Sequence, residues 1–160
     1  MASYADDGIP LTGIAQFDRL ASAVPQYGKW KARLGELGVN VVEETLDVGN
    51  HGFVNRVAGQ LTLHIDPSQA TFLSMLHESR HVAQILRAGR EGVDLLANKR
   101  LVAFAERGAY AFERRVGKAY GFSQEYMGFI QSQIAHYITP VMKKYQRSGS
   151  FRGLVDSLWL

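Results

Sequence analysis

The chain has 160 residues, 46% hydrophobic and 21% charged, with a net charge of +3 and no cysteine. One core can be filled by a chain of this size, so residues 1–160 read as a single domain, and without thiols any metal would be held by His and carboxylate. No apolar run approaches the ~20 residues of a membrane span, and the Lys and Arg, in clusters such as Lys29/Lys31/Arg33, lack the interleaved aromatics of a single-strand grip, which argues against a nucleic-acid partner.

Residues 1–10 are polar and acidic, unlike a secretory leader, and are expected to be loose. Ile14, Phe17, Leu20, Ala21 and Val24 recur at helical spacing. The pattern predicts a helix from Ile14, interrupted at Pro25 and resumed over residues 27–37 until Gly38 stops it. Strands are predicted over residues 39–46, 53–57 and 61–65. In the last of these Leu61, Leu63 and Ile65 alternate with Thr62, His64 and Asp66, the period of a strand with one buried face. Turn signals at residues 49–52 and 59–60 join the three into a small antiparallel sheet. An edge strand of such a sheet could pair with an extended peptide.

Beyond Ser68 the chain reads as helical. Asp66 or Ser68 suits an N-cap, Pro67 suits a first turn and Gly89 suits a C-cap. The middle of this helix is His77-Glu78-Ser79-Arg80-His81. Residues four apart share a helical face with Cβ atoms about 5–6 Å apart, so both imidazoles can hold one metal ion. Glu78 then stands beside that ion, where a carboxylate can take a proton from an attacking water. The chemistry implied is hydrolysis.

Two imidazoles need a third ligand. Over residues 95–120 a helical stripe of Leu95, Val102, Ala109 and Val116 also carries Glu106 and Glu113, and carboxylates on a core-facing stripe have to be paired or metal-bound. If the two helices form a hairpin with Asp94 as N-cap, Glu106 lies about 18 Å into its helix, level with His77, and Glu113 about 10 Å further on. Glu106 is therefore the expected ligand. Glu113 is expected to accept from a ligating imidazole or to pair with a base such as Arg80, the plainer reading of either carboxylate being a buried ion pair. Donors for a developing oxyanion are sought in Tyr110, one turn after Glu106, and in His136 and Tyr137 on a helix predicted over residues 123–145. Gln84, one turn after His81, either bonds a ligand or marks a polar face. His51 and His64 read as ordinary turn and strand residues, and the amphipathic residues 151–160 either dock on the core or meet a partner.

His77-Glu78-Ser79-Arg80-His81 followed by Glu106-Arg107-Gly108-Ala109-Tyr110 resembles the gluzincin pattern of zincin metallopeptidases. The resemblance implies an α+β zincin-like fold with the first motif on a central helix, and one Zn2+ on His77, His81 and Glu106. It implies Glu78 as general base, Tyr110 or His136 steadying the oxyanion, and a protein or peptide as substrate. The small size, with a short sheet ahead of the motif helix, is similar to zincin-like toxin domains at the C-terminal ends of bacterial polymorphic toxins. That likeness implies a secreted or delivered effector with an immunity protein as partner. The rival reading is a zincin fold kept as a catalytically silent protein-binding module.

Overall fold

Residues 9–148 are described by the computed structural model, and among them the architecture is α+β, with five α-helices and a three-stranded sheet. The order is α1 (Ala15–Asp18), a 3-10 turn (Ala21–Ala23), α2 (Tyr27–Glu36), β1 (Asn40–Glu43), β2 (Gly52–Val57), β3 (Gln60–Ile65), α3 (Phe72–Arg90), α4 (Lys99–Tyr120) and α5 (Gln124–Ser148). Of the loose start expected over residues 1–10, only Ile9 and Pro10 are described, and Pro10 is buried. The apolar tail at 151–160 lies outside the described residues. No helix among the described residues is long and apolar enough to cross a membrane.

The helix predicted from Ile14 is broken after one turn. Asp18 turns its carboxylate back onto the Thr12 N–H at 2.9 Å, the Thr12 hydroxyl at 2.8 Å and the Gly13 N–H at 3.0 Å. The backbone beyond pairs elsewhere, with Ala21 N–H donating to the Ala70 carbonyl and Phe72 N–H to that of Arg19. Helical spacing still delivers Phe17, Ala21 and Val24 to the interior. As the sequence predicts, α2 stops at Gly38, whose φ of +82° lets Val39 N–H close back on the Leu34 carbonyl.

The sheet is mixed, a correction to the antiparallel arrangement expected. β2 and β3 form an antiparallel hairpin, but β3 lies between β1 and β2 and pairs with β1 in parallel, Asn40 opposite Thr62. Two chain reversals bring β3 back into the direction of β1, and inserting it beside β1 makes that pair parallel. The route between β1 and β2 decides this. Leu46 N–H donates to the Asp66 carboxylate and Gly49 N–H to the Gln69 side chain, so the connection is tied down at the exit of β3 and delivers β2 to the far side. β3 is the central strand, with Leu61, Leu63 and Ile65 buried, and the edges are β1 and β2.

α3 carries the His77–His81 motif, and both its ends differ from expectation. Thr71, not Asp66 or Ser68, is the N-cap. Its hydroxyl accepts from Ser74 N–H at 3.2 Å while Ser74 Oγ accepts from Thr71 N–H at 3.0 Å. Gly89 stays helical, and the left-handed residue that closes the end is Gly92. α4 begins at the N-cap Asn98 rather than Asp94, and Leu95 ahead of it is buried in the core. α3 packs on both sides of the molecule. Met75, Val82 and Ile85 join the core under the sheet, and Leu73 joins Phe17, Tyr126 and Ile130 in a second cluster with α1 and α5.

Candidate metal centre

His77 and His81, one turn apart on α3, bring their Nε2 atoms to 3.1 Å of each other. Glu106 reaches both from α4, with Oε2 at 3.3 Å from His77 Nε2 and Oε1 at 3.1 Å from His81 Nε2. One ligand atom from each residue lies within 4.8 Å of the others, so the three could hold a metal ion. Ligand atoms about 2.0–2.2 Å from a tetrahedral ion stand about 3.3–3.6 Å from one another, close to the separations found here. The donor set, two imidazoles and one carboxylate, leaves a fourth position open.

The other face of each ring is also engaged. His77 Nδ1 lies 2.9 Å from Glu113 Oε2, and His81 Nδ1 lies 3.1 Å from Gln84 Oε1. Gln84 is oriented by its own amide, which donates to the Ala105 carbonyl at 3.1 Å. Acceptors placed this way favour a proton on each Nδ1 and turn both Nε2 atoms toward Glu106. Glu113 is buried, and its second oxygen accepts the Tyr126 hydroxyl at 2.7 Å. Arg80, the other partner considered for Glu113, lies over the Phe112 ring instead.

Protons and charges in this cluster are strongly coupled. Burial works to discharge His77, but Glu113 and Glu106 outweigh it and hold its pKa well above the usual imidazole range. Burial likewise pushes Glu106 up, and the hydrogen bonds of His77 and His81 overcome that, leaving its pKa far below the carboxylate range. A metal ion entering here would replace a proton held by His77.

Glu78 is different. It is 6% exposed, and its Oε2 is buried without a hydrogen-bond partner among the described residues. Burial raises its pKa, opposed by the two imidazoles and assisted by Glu106 and Glu113. β2 comes close enough that a Cβ on Gly52 would sit 2.8 Å from the His64 carbonyl oxygen and 3.4 Å from Glu78 Cγ. Glycine at 52 is required by the His64 carbonyl of the neighbouring strand, whereas a side chain there would meet Glu78 only at ordinary contact distance.

A cavity of about 350 Å3 opens onto His77, Glu78 and Glu106. Of the three candidate oxyanion donors, Tyr110 and Tyr137 line it. The Tyr110 ring lies 4.8 Å from that of His77 and 6.2 Å from that of Tyr137, nearly parallel to the latter. His136 is not brought to the site: it is exposed, with its ring against Tyr137 and outside the cavity wall. Neighbours on a helix are rotated by about 100°, which puts Tyr137 on the inner face of α5 and His136 on the outer one. His51, read as a plain turn residue, does line the cavity, with Nδ1 2.8 Å from Ser74 Oγ. Tyr126 was missed as a site residue, because nothing in its apolar helical stripe marks a bond to a residue on another helix. His64 lies between Glu44 and Asn55 on the sheet, as a strand residue should.

No protein-family model, curated protein or solved structure matches the chain. The geometry alone defines a candidate metal centre of two imidazoles and a carboxylate, with a glutamate beside it whose buried oxygen has no partner among the described residues.

Proposed function

We propose that this chain is a zinc-dependent peptide-bond hydrolase of the zincin type. The observation that carries the reading is the convergence of His77 Nε2, His81 Nε2 and the Glu106 carboxylate, with the buried, unpartnered Glu78 carboxylate next to them at a cavity. A zinc ion on those three residues would supply a Lewis acid for the scissile carbonyl and the attacking water. Glu78 takes the proton of that water and passes it to the leaving amine, a task its raised pKa favours by making the carboxylate a stronger base. Glu113 and Gln84 keep the two rings turned toward Glu106. Tyr110 and Tyr137 both have raised pKa values, from burial first and from nearby carboxylates next, so their hydroxyls stay protonated and can donate to an oxyanion.

Metal analysis by inductively coupled plasma mass spectrometry, on chain purified without chelator, tests the centre. One zinc per chain is expected, lost in His77→Ala. Glu78→Gln should keep the zinc and lower cleavage of an unfolded protein by about 10²–10⁴-fold. An unchanged rate would remove Glu78 from the mechanism, and absence of zinc even when supplied would leave the protein-binding module as the better reading. The toxin-domain likeness extends the proposal to a delivered effector met by an immunity protein. Its expression in a bacterial host should then arrest growth, and that of Glu78→Gln should not.

A further inference from the structure

Residues 9–12 belong to none of the helices or strands, yet they form a wall of the cavity that His77, Glu78 and Glu106 also line. Side chains fasten this strap at both flanks. On the α1 side the Asp18 carboxylate takes the Thr12 N–H, the Thr12 hydroxyl and the Gly13 N–H. On the α5 side Ser123 N–H donates to the Thr12 carbonyl at 2.7 Å, and the Ser123 hydroxyl donates to the Leu11 carbonyl at 2.8 Å. Thr12 is 1% exposed between them. Just beyond it Gly13 has a φ of +81°, the left-handed conformation that turns the chain away toward α1.

Ser123 has a second task. As the N-cap of α5, its Oγ also accepts Tyr126 N–H at 3.1 Å. The Tyr126 hydroxyl then reaches Glu113 at 2.7 Å, and Glu113 reaches His77 Nδ1 at 2.9 Å. Packed rings run beside these bonds, Phe17 lying 5.0 Å from Phe122 and Phe122 5.6 Å from Tyr126, both edge on. The strap is thus the outer end of a continuous path whose inner end is a proposed ligand. We propose that the strap is a regulatory clasp, coupled to the metal centre through Ser123, Tyr126 and Glu113, so that releasing it lowers metal affinity and metal binding tightens it. The inference rests on the metal centre proposed above. Ser123, Tyr126 and Glu113 act in it as positioning residues. Such coupling is reciprocal, because a ligand that favours the clasped state must be favoured by that state to the same degree. Anything that draws residues 9–12 off α5 therefore removes a cavity wall and slackens the His77 ring together.

Amide hydrogen exchange of the full chain, followed by nuclear magnetic resonance with and without saturating zinc, tests this. The probes are the N–H groups of Thr12, Gly13 and Ser123, each of which donates to a bond of the clasp. In wild type zinc should slow their exchange by about 2–30-fold, and in Tyr126→Phe, which cuts the path but removes no ligand, the slowing should disappear. Calorimetric zinc titration supplies the converse. Asp18→Ala, which frees the strap without touching α5, should weaken zinc binding by about 2–30-fold. Combined with Tyr126→Phe it should weaken binding by less than the product of the two single losses. Exchange slowed equally in wild type and Tyr126→Phe, exchange unmoved by bound zinc, or losses that simply multiply would each overturn the clasp. If wild type takes up no zinc, it is the metal-centre reading that has failed, and the metal-free chains decide the path by themselves. Tyr126→Phe should then still speed exchange at Thr12 and Gly13, and an unchanged rate overturns the clasp.

Discussion

Both carboxylate oxygens of Glu113 are engaged inside the protein, one by His77 Nδ1 and the other by the Tyr126 hydroxyl. The chain of contacts runs from α5 through α4 to α3, and its last member is a proposed ligand. Tyr126→Phe removes one donor from a buried carboxylate without changing ring packing, at a cost of about 1–3 kcal/mol. Glu113 is then freer to rotate, and the His77 ring loses part of what fixes it. Partners of this kind affect metal affinity by about 10–100-fold when removed, so the expected result for Tyr126→Phe is zinc binding weakened by at least about tenfold in calorimetric titration. A purely structural tyrosine would lower the melting temperature and leave zinc affinity alone, and that outcome would take Tyr126 out of the site.

At the scale of elements, the turn between β3 and α3 does more than connect them. The Asp66 carboxylate accepts from Ser68 N–H at 2.9 Å, Ser68 hydroxyl at 2.6 Å, Gln69 Nε2 at 2.8 Å and Leu46 N–H at 2.9 Å. The Ser68 and Gln69 hydrogen bonds lead in holding its pKa well below the usual carboxylate range. A depressed folded pKa means stability that is fully present above the unfolded pKa, about 4, and lost progressively as pH falls from there through the folded pKa. Asp66→Asn should therefore cost about 1–3 kcal/mol at about pH 7, with the gap to wild type narrower at about pH 3 in urea titrations, where only part of that stability has been lost. An equal gap at both pH values would show that the ionised carboxylate is not the source. The same residue shows where sequence reading ran out. Asp-Pro-Ser is as good a signature for a turn as for a helix start, and only tertiary bonds to Leu46 and Gln69 decide between them. The parallel β1–β3 pair was hidden for the same reason, since the route of the β1–β2 connection is set by residues some twenty positions later. His77, His81 and Glu106 were legible because i, i+4 spacing and a core-facing stripe are local facts. The height argument used to choose between the glutamates was only partly sound. With α4 capped at Asn98, Glu106 is eight residues past the cap, and Glu113, two turns further on, also touches His77, from the Nδ1 side of the ring. Two glutamate side chains reaching toward one ring, each to its own nitrogen, close the gap that rise per residue suggested was too wide.

Considered as a whole, the molecule meets itself at this centre. α3 contributes His77, Glu78 and His81, α4 contributes Glu106 and Glu113, α5 contributes Tyr126, and β2 approaches through Gly52. Three carboxylates gathered at two imidazoles are costly to remove from water, and Glu78 has no hydrogen bond on its buried oxygen to offset that cost. A divalent cation would supply the missing positive charge. It would bind the folded chain and not the unfolded one, so stability should rise by about 2.7 kcal/mol at a free zinc concentration 100 times the dissociation constant. For a chain of this size that is a melting-temperature increase of about 5–10 °C. Protons compete with the ion for His77, whose pKa is raised, so the increase should already shrink as pH falls through that raised pKa, above the usual imidazole range. Variants locate the effect. His77→Ala and Glu106→Ala should show no increase, whereas Glu78→Gln, which removes an unpaired negative charge but no ligand, should start more stable without metal and still respond to zinc. Scanning calorimetry with zinc and then with excess chelator separates these cases. A melting temperature indifferent to zinc in wild type would mean that the charges of this cluster balance among themselves, as a buried ion-pair network, and that no metal completes them.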